Sequence, residues 1–304
     1  MKVLILTPWK NTWIPYYKKV FEERGHSVRV AHDSKQLIRA DVYLHMWACM
    51  SYPIPNAVNI MFMRRFEFFE YNWKEYPWDK IDSLVFCNTF FKREFDSYFK
   101  HIHNTELIYN AVDTEVWAEK PHSKGVKVGM ACHVHPKKNL PLAAQIIKAL
   151  GKPFELHITG EWQDSATVAY LHWAAKEMDL DITLYGHTEN MAKWWADKDY
   201  CLSTSLSEGN PNNILEAMAQ GIRPVVHSWP GAIDQFPSRC IFNGVYEAVG
   251  QITGDYGSGY REHVEKYYSL LNFRDVVKIA ETATQNRKEK EHEREQERDI
   301  RRAV

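Results

Sequence analysis

Two doubly wound α/β domains facing a central cleft, followed by a helical tail, are the architecture this sequence predicts. Three observations point there: the 304-residue length, short apolar β-branched runs alternating with helical patterns, and a fresh start of that rhythm past a polar interruption. A chain of this length can bury two cores of ordinary size. With 45% hydrophobic and 25% charged residues, it falls outside the disordered, collagenous and membrane-embedded classes.

In order, the first set of runs is Val3 to Leu6, Val28 to Ala31, Val42 to Met46, Val58 to Met63 and Leu84 to Cys87. Such runs suit strands of a parallel sheet, which is covered on both faces. Between the first two, Ile14 to Arg24 places apolar residues at helical spacing and stops at Gly25, a usual left-handed helix stop. The second set is Val126 to Ala131, Phe154 to Thr159, Ile182 to Tyr185, Tyr200 to Ser203 and Pro224 to His227. Helical stretches at Leu140 to Leu150, Ala166 to Met178 and Ile214 to Gln220 alternate with these runs. The polar stretch Glu119 to Gly125 interrupts the rhythm, so domains are expected over 1–120 and 121–259. From 260 to 304 the pattern is helical and expected to pack back on the first domain, its charged end solvated.

A net charge of −1 makes no general electrostatic case for nucleic acid. Five widely spaced cysteines and no apolar run of about 18 residues suggest free thiols in a cytoplasmic protein, with at most peripheral membrane contact.

The chemistry concentrates in Leu202 to Asp234, LSTSLSEGNPNNILEAMAQGIRPVVHSWPGAID. A strand runs into a loop rich in Gly and Asn, and a helix starts near Asn212 or Asn213. Amides at such a start face outward and attract anions. Glu208 precedes the loop and Glu216 lies about a turn into the helix, so one can face a sugar while the other accepts from two ribose hydroxyls.

This phrase resembles the family 4 retaining glycosyltransferases of the GT-B fold, whose signature is two glutamates with seven residues between them. The matching residues are Ser205, Glu208, Gly209, Pro211, Asn212, Leu215, Glu216, Ala217, Met218, Ala219 and Gly221. Three more segments resemble that family's, one of them Leu184-Tyr185-Gly186-His187, like the strand end whose backbone reads the nucleobase. His135-Pro136-Lys137-Lys138-Asn139-Leu140 resembles the loop whose lysine binds the donor diphosphate, with Lys138 in that place. Tyr109-Asn110-Ala111-Val112-Asp113 resembles the turn that closes the first domain. The resemblance implies a donor site of Gly209, Asn210, Pro211, Asn212, Asn213 and Glu216, with Tyr185, Gly186 and His187 at the nucleobase. Its catalytic groups would be Glu208, Lys138 and His133.

His133 stands where the family has an arginine, and it lacks the bidentate fork. On the acceptor side, Pro8-Trp9-Lys10-Asn11-Thr12-Trp13 replaces the glycine-rich turn. Trp9 and Trp13, with Lys10 among the nearby lysines, and Arg64, Arg65 and Glu67 are the acceptor-side candidates, although a structural ion pair or core packing explains them equally well.

No dinucleotide-binding or P-loop glycine pattern follows a strand, and no His/Cys spacing suits zinc. Asp179-Leu180-Asp181 reads as a turn. The expectation is therefore a metal-independent, cofactor-free retaining hexosyltransferase that moves a sugar from a UDP-glucose-like donor to a saccharide or glycolipid hydroxyl. Two alternatives remain open: a DNA glycosyltransferase acting on a modified base, and a sugar-nucleotide 2-epimerase.

Overall fold

The computed structural model describes residues 1–9, 13–121 and 123–303. Lys10, Asn11 and Thr12, part of the turn after the first strand, lie outside the described residues. The chain forms two compact units, Met1–Ala111 with Leu270–Val304, and Val112–Ser269.

The first unit runs β1 (Lys2–Leu6), α1 (Ile14–Glu23), β2 (Ser27–Ala31), β3 (Val42–His45), β4 (Val58–Met63), α2 (Arg65–Glu70), β5 (Ser83–Phe86), α3 (Thr89–Tyr98) and β6 (Thr105–Leu107). Its six strands are parallel in the order β2-β1-β3-β4-β5-β6. β4 is buried along its whole length, as its unbroken apolar run requires for a strand covered on both faces. Helix α1 buries Ile14, Tyr17, Val20 and Phe21 at helical spacing, and Gly25 follows at φ 78°, a conformation that costs glycine little. The last helix, α10 (Leu271–Ala303), returns to this unit. It buries Phe273, Val276, Val277 and Ala280, the Phe273 ring stacked 4.0 Å from Tyr17. After Arg287, whose guanidinium donates to the Ala57 carbonyl at 2.7 Å, residues 288–298 carry no apolar stripe and lie exposed.

The second unit runs β7 (Lys127–Ala131), α4 (Leu140–Leu150), β8 (Glu155–Thr159), α5 (Ser165–Glu177), β9 (Asp181–Leu184), α6 (Met191–Trp195), β10 (Tyr200–Ser203), α7 (Asn212–Ala219), β11 (Arg223–His227), β12 (Ile241–Phe242), α8 (Val245–Thr253) and α9 (Tyr260–Tyr267). The parallel order β12-β11-β10-β7-β8-β9 reverses direction between β7 and β10. Ligands of such sheets bind outside the strand ends at that reversal.

The units divide at Ala111, upstream of the expected linker. Arg261 of α9 explains why: its guanidinium donates to the carbonyls of Thr114 and Trp117 and also to Ala219 at the end of α7. Val112 N donates to Tyr268 O at 2.8 Å, and Lys120 N to Gln220 O at 3.1 Å. Residues 112–120 and α9 therefore belong to the second unit. Among the described residues, no helix is long and apolar enough to cross a membrane. All five cysteines are free thiols, three of them buried.

Candidate functional site

At the β7/β10 reversal two loops are laced together. The turn Pro136–Lys138 follows β7, and Asn139 at φ 48° redirects the chain into α4. Thr204 Oγ1 donates to the Lys138 carbonyl at 2.7 Å and Leu206 N to the Lys137 carbonyl at 2.9 Å. His227 Nδ1 bonds the Ser205 carbonyl at 2.9 Å, and Asn213 Nδ2 donates to the Ala131 carbonyl at 2.8 Å. The latter bond pins the start of α7 to the end of β7.

Lys138 Nζ lies 2.5 Å from Glu208 Oε1, with both side chains only 13% and 12% exposed. Ser205 Oγ donates to the same oxygen at 2.7 Å. Burial alone would raise the Glu208 pKa; Lys138 and the Ser205 hydroxyl outweigh it and hold the carboxylate below its ordinary range. The Glu216 carboxyl, on α7, has no hydrogen bond or ion pair to another described residue. Burial pushes its pKa up to about 7. The arrangement thus offers one ammonium, one ionised carboxylate and one half-buried carboxyl without a partner, around a helix start that favours anions.

The loop between Glu208 and α7 is held by a residue that sequence reading missed. Buried Gln235 accepts from Asn210 Nδ2 at 2.7 Å and donates to the Gly209 carbonyl at 2.9 Å. Its own carbonyl accepts from Tyr268 OH at 2.6 Å and bonds His263 Nε2 at 3.0 Å. Gln235 follows the recognised phrase directly, but a glutamine in a turn carries no signal of its role without the partners that folding supplies.

Other residues expected at the site fall as follows. Pro211 caps α7 with Asn212 as its first residue. His133 is about half exposed, with Nδ1 3.7 Å from Glu161; partial desolvation, joined by the nearby Lys138 charge, outweighs Glu161 and keeps its pKa below the ordinary value. Tyr185 OH bonds His157 Nδ1 at 2.7 Å, and the Gly186 carbonyl accepts from Gly160 N at 2.7 Å and Thr159 Oγ1 at 2.9 Å. His187 is exposed beside them. Asp179 pairs with Lys152 at a turn with φ 55°.

In the first unit, the arginine and glutamate candidates turn inward. Buried Arg64 donates Nε to the Met46 carbonyl at 3.1 Å and Nη1 to Asn110 at 3.2 Å, with its guanidinium 4.2 Å from the Trp13 ring centroid. Glu67 is fully buried; its Oε2 accepts from Arg64 N at 3.0 Å, its Oε1 has no partner among the described residues, and burial raises its pKa to about 7. Arg65 lies over Phe69 and 3.5 Å from Glu70. Trp13 is in the core, while Trp9 is exposed against Trp47 and Phe66.

Residues 125–239 match the family model described as glycosyl transferases group 1. A comparison with curated protein sequences gives no match. Among solved structures, the chain is similar to Anabaena HepE in complex with UDP, with 13% identity over 94% of this chain and 100% of that one, and a TM-score of 0.72. It is also similar to the lipopolysaccharide outer core galactosyltransferase WaaB, with 13% identity over 93% and 99%, and a TM-score of 0.70. Similarity to Staphylococcus aureus TarM is 16% identity over 76% of this chain, with a TM-score of 0.63. This chain spans about half the TarM length, covering 51% of it. The fold is thus that of the GT-B glycosyltransferase structures, two parallel six-stranded α/β units with a C-terminal helix, and its second unit matches the group 1 glycosyl transferases.

Proposed function

We propose that this chain is a retaining glycosyltransferase, which moves a hexose from a UDP-glucose-like nucleotide sugar to a saccharide hydroxyl. The observation that carries this is the Lys138–Glu208–Ser205 cluster beside the start of α7, with partnerless Glu216 on the same helix.

As the bond from the sugar to the diphosphate breaks, negative charge gathers on the leaving diphosphate, and catalysis depends on groups already aimed there. Lys138 supplies the charge, aided by the α7 start. Glu208 turns from Lys138 toward the sugar hydroxyls, and Glu216 accepts from the ribose hydroxyls. With the diphosphate neutralised by the protein, transfer needs no metal. Five free thiols suit a reducing, cytoplasmic setting. HepE was solved with UDP and glucose and with UDP-glucose, which supports a UDP-sugar donor here.

A panel of nucleotide sugars scored by thermal shift tests the donor, since a ligand bound only by the folded state raises apparent stability. UDP-glucose or a close relative should raise Tm, and the raised Tm should persist in EDTA. A panel with no stabilising nucleotide sugar would refute the proposal.

A further inference from the structure

The first unit has its own reversal in strand order, between β1 and β3. A cavity of about 270 Å³ opens at the carboxyl ends of β1, β2 and β3. That volume sits near the lower end of the roughly 300–1,000 Å³ range of small-molecule sites, room for one sugar-sized ring.

The lining chemistry is one-sided. Leu6, Leu37, Trp47, Met50 and Ile54 make its apolar walls, and Tyr52 stands at the mouth, stacked 5.9 Å from Tyr76. His32 and Asp33, just past β2, provide polar groups beside the hydroxyls of Thr7, Ser51 and Tyr52. His32 Nδ1 lies 3.0 Å from the Thr7 carbonyl, which can only accept. This fixes the proton on Nδ1 and leaves Nε2, which has no partner among the described residues, as an acceptor. Asp33 Oδ1 accepts from Lys35 N and Gln36 N at 2.8 and 3.2 Å, and Oδ2 remains outward as a further acceptor. No lysine or arginine is among the described residues that line the cavity.

A ligand matched to this cavity brings hydroxyl donors and an apolar face, and no phosphate, which Asp33 would repel. We propose that the cavity holds the terminal ring of a neutral saccharide acceptor, its C–H face on Trp47 and Leu37 and a hydroxyl donating to His32 Nε2. This rests on the glycosyl-transfer reading above and narrows its acceptor to an uncharged, polyhydroxylated ring. Tyr52 and Met50 at the mouth would take an apolar substituent carried by that ring.

The test is direct binding, without transfer. Phenyl β-glycosides of glucose, galactose and N-acetylglucosamine, with glucose 6-phosphate as the charged probe, are titrated by saturation-transfer NMR and tryptophan fluorescence. At least one phenyl glycoside should bind; His32→Ala and Leu37→Asp should each weaken it about tenfold, glucose 6-phosphate should bind at least tenfold more weakly, and the UDP-glucose thermal shift of His32→Ala should match wild type. Binding by none of the three glycosides, binding that neither substitution changes, or tighter binding of the phosphate would overturn the assignment. If UDP-glucose gives no shift while a glycoside binds in a His32-dependent way, the donor reading fails and the cavity assignment stands.

Discussion

The two strand-order reversals of this protein share a topology and differ in charge. At the β7/β10 reversal, Lys138, Glu208 and a helix start surround the loop; at the β1/β3 reversal, the described lining is mostly apolar, with His32, Asp33 and hydroxyls as its polar groups and no lysine or arginine. Parallel sheets make both crevices by the same geometry, and the loops decide what each can hold. Lys138 with the α7 start suits a diphosphate, and a rim with a carboxylate and no cation suits hydroxyls. Buried carboxyls show the same divergence. Glu208 has a lysine that holds its pKa down, whereas burial prevails at Glu216 and, over nearby Arg64, at Glu67, and pushes both up to about 7.

The largest test of this contrast is Lys138→Ala. It should lower kcat/KM by about 10²–10³, the usual cost of losing one group aimed at developing negative charge. It also leaves Glu208 buried without its cation, a loss of about 3–5 kcal/mol in stability. The double variant Lys138→Ala with Glu208→Gln should recover stability in thermal unfolding but not turnover. Recovery of turnover would mean that Lys138 acts only by holding the loop.

Next is Glu216, whose proposed contacts to both ribose hydroxyls are made best by an ionised carboxylate. UDP-glucose affinity should fall about tenfold from pH 8 to pH 6 as Glu216 protonates, and Glu216→Gln should be weak and flat across that range. His133, the other group at the site titrating below neutral pH, would act oppositely by gaining charge on acidification, so His133→Gln should leave the fall intact. An unchanged profile in Glu216→Gln would remove the ribose role.

In the first unit, Glu67 tests burial without a ligand. Its folded pKa of about 7 lies above the ordinary 4.5, so between these values the native state binds more protons than the unfolded chain. Stability from this group is therefore present below about pH 4.5 and falls as pH rises to about 7. Glu67→Gln should be more stable than wild type at pH 8 by about 1–3 kcal/mol, the cost of an unsatisfied buried acceptor, and equal to it near pH 5, read by denaturant midpoints. A constant difference across pH would show that Glu67 does not titrate in this window.

The smallest effect is expected from His133→Arg. A guanidinium grips two phosphate oxygens where imidazole does not. UDP-glucose affinity should rise a few-fold and UDP release should slow; no gain by calorimetry would place residue 133 away from the diphosphate.

Much of this was legible in the chain. Unbroken β-branched runs marked ten strands because parallel sheets bury both faces. β6 and β12 escaped because three and two residues are too short to show a period. The phrase from Ser205 to Gly221 was readable because its loop, helix start and glutamates are local. Arg64 and Glu67 kept two meanings in sequence, acceptor contact or structural pair, and only the fold shows that both are buried. The division at Ala111 was hidden for another reason: Arg261, some 140 positions downstream, is what ties residues 112–120 to the second unit.

By itself the sequence determined the double α/β rhythm and the glutamate phrase of the second unit, since both are written in neighbouring residues whose spacing follows the period of strand or helix. Only the tertiary structure decided that Lys138 meets Glu208, that Gln235 holds the loop, and that His32 and Asp33 line one cavity with Trp47. Those facts depend on which strand ends the sheet brings side by side, and the partners in each case lie far apart along the chain.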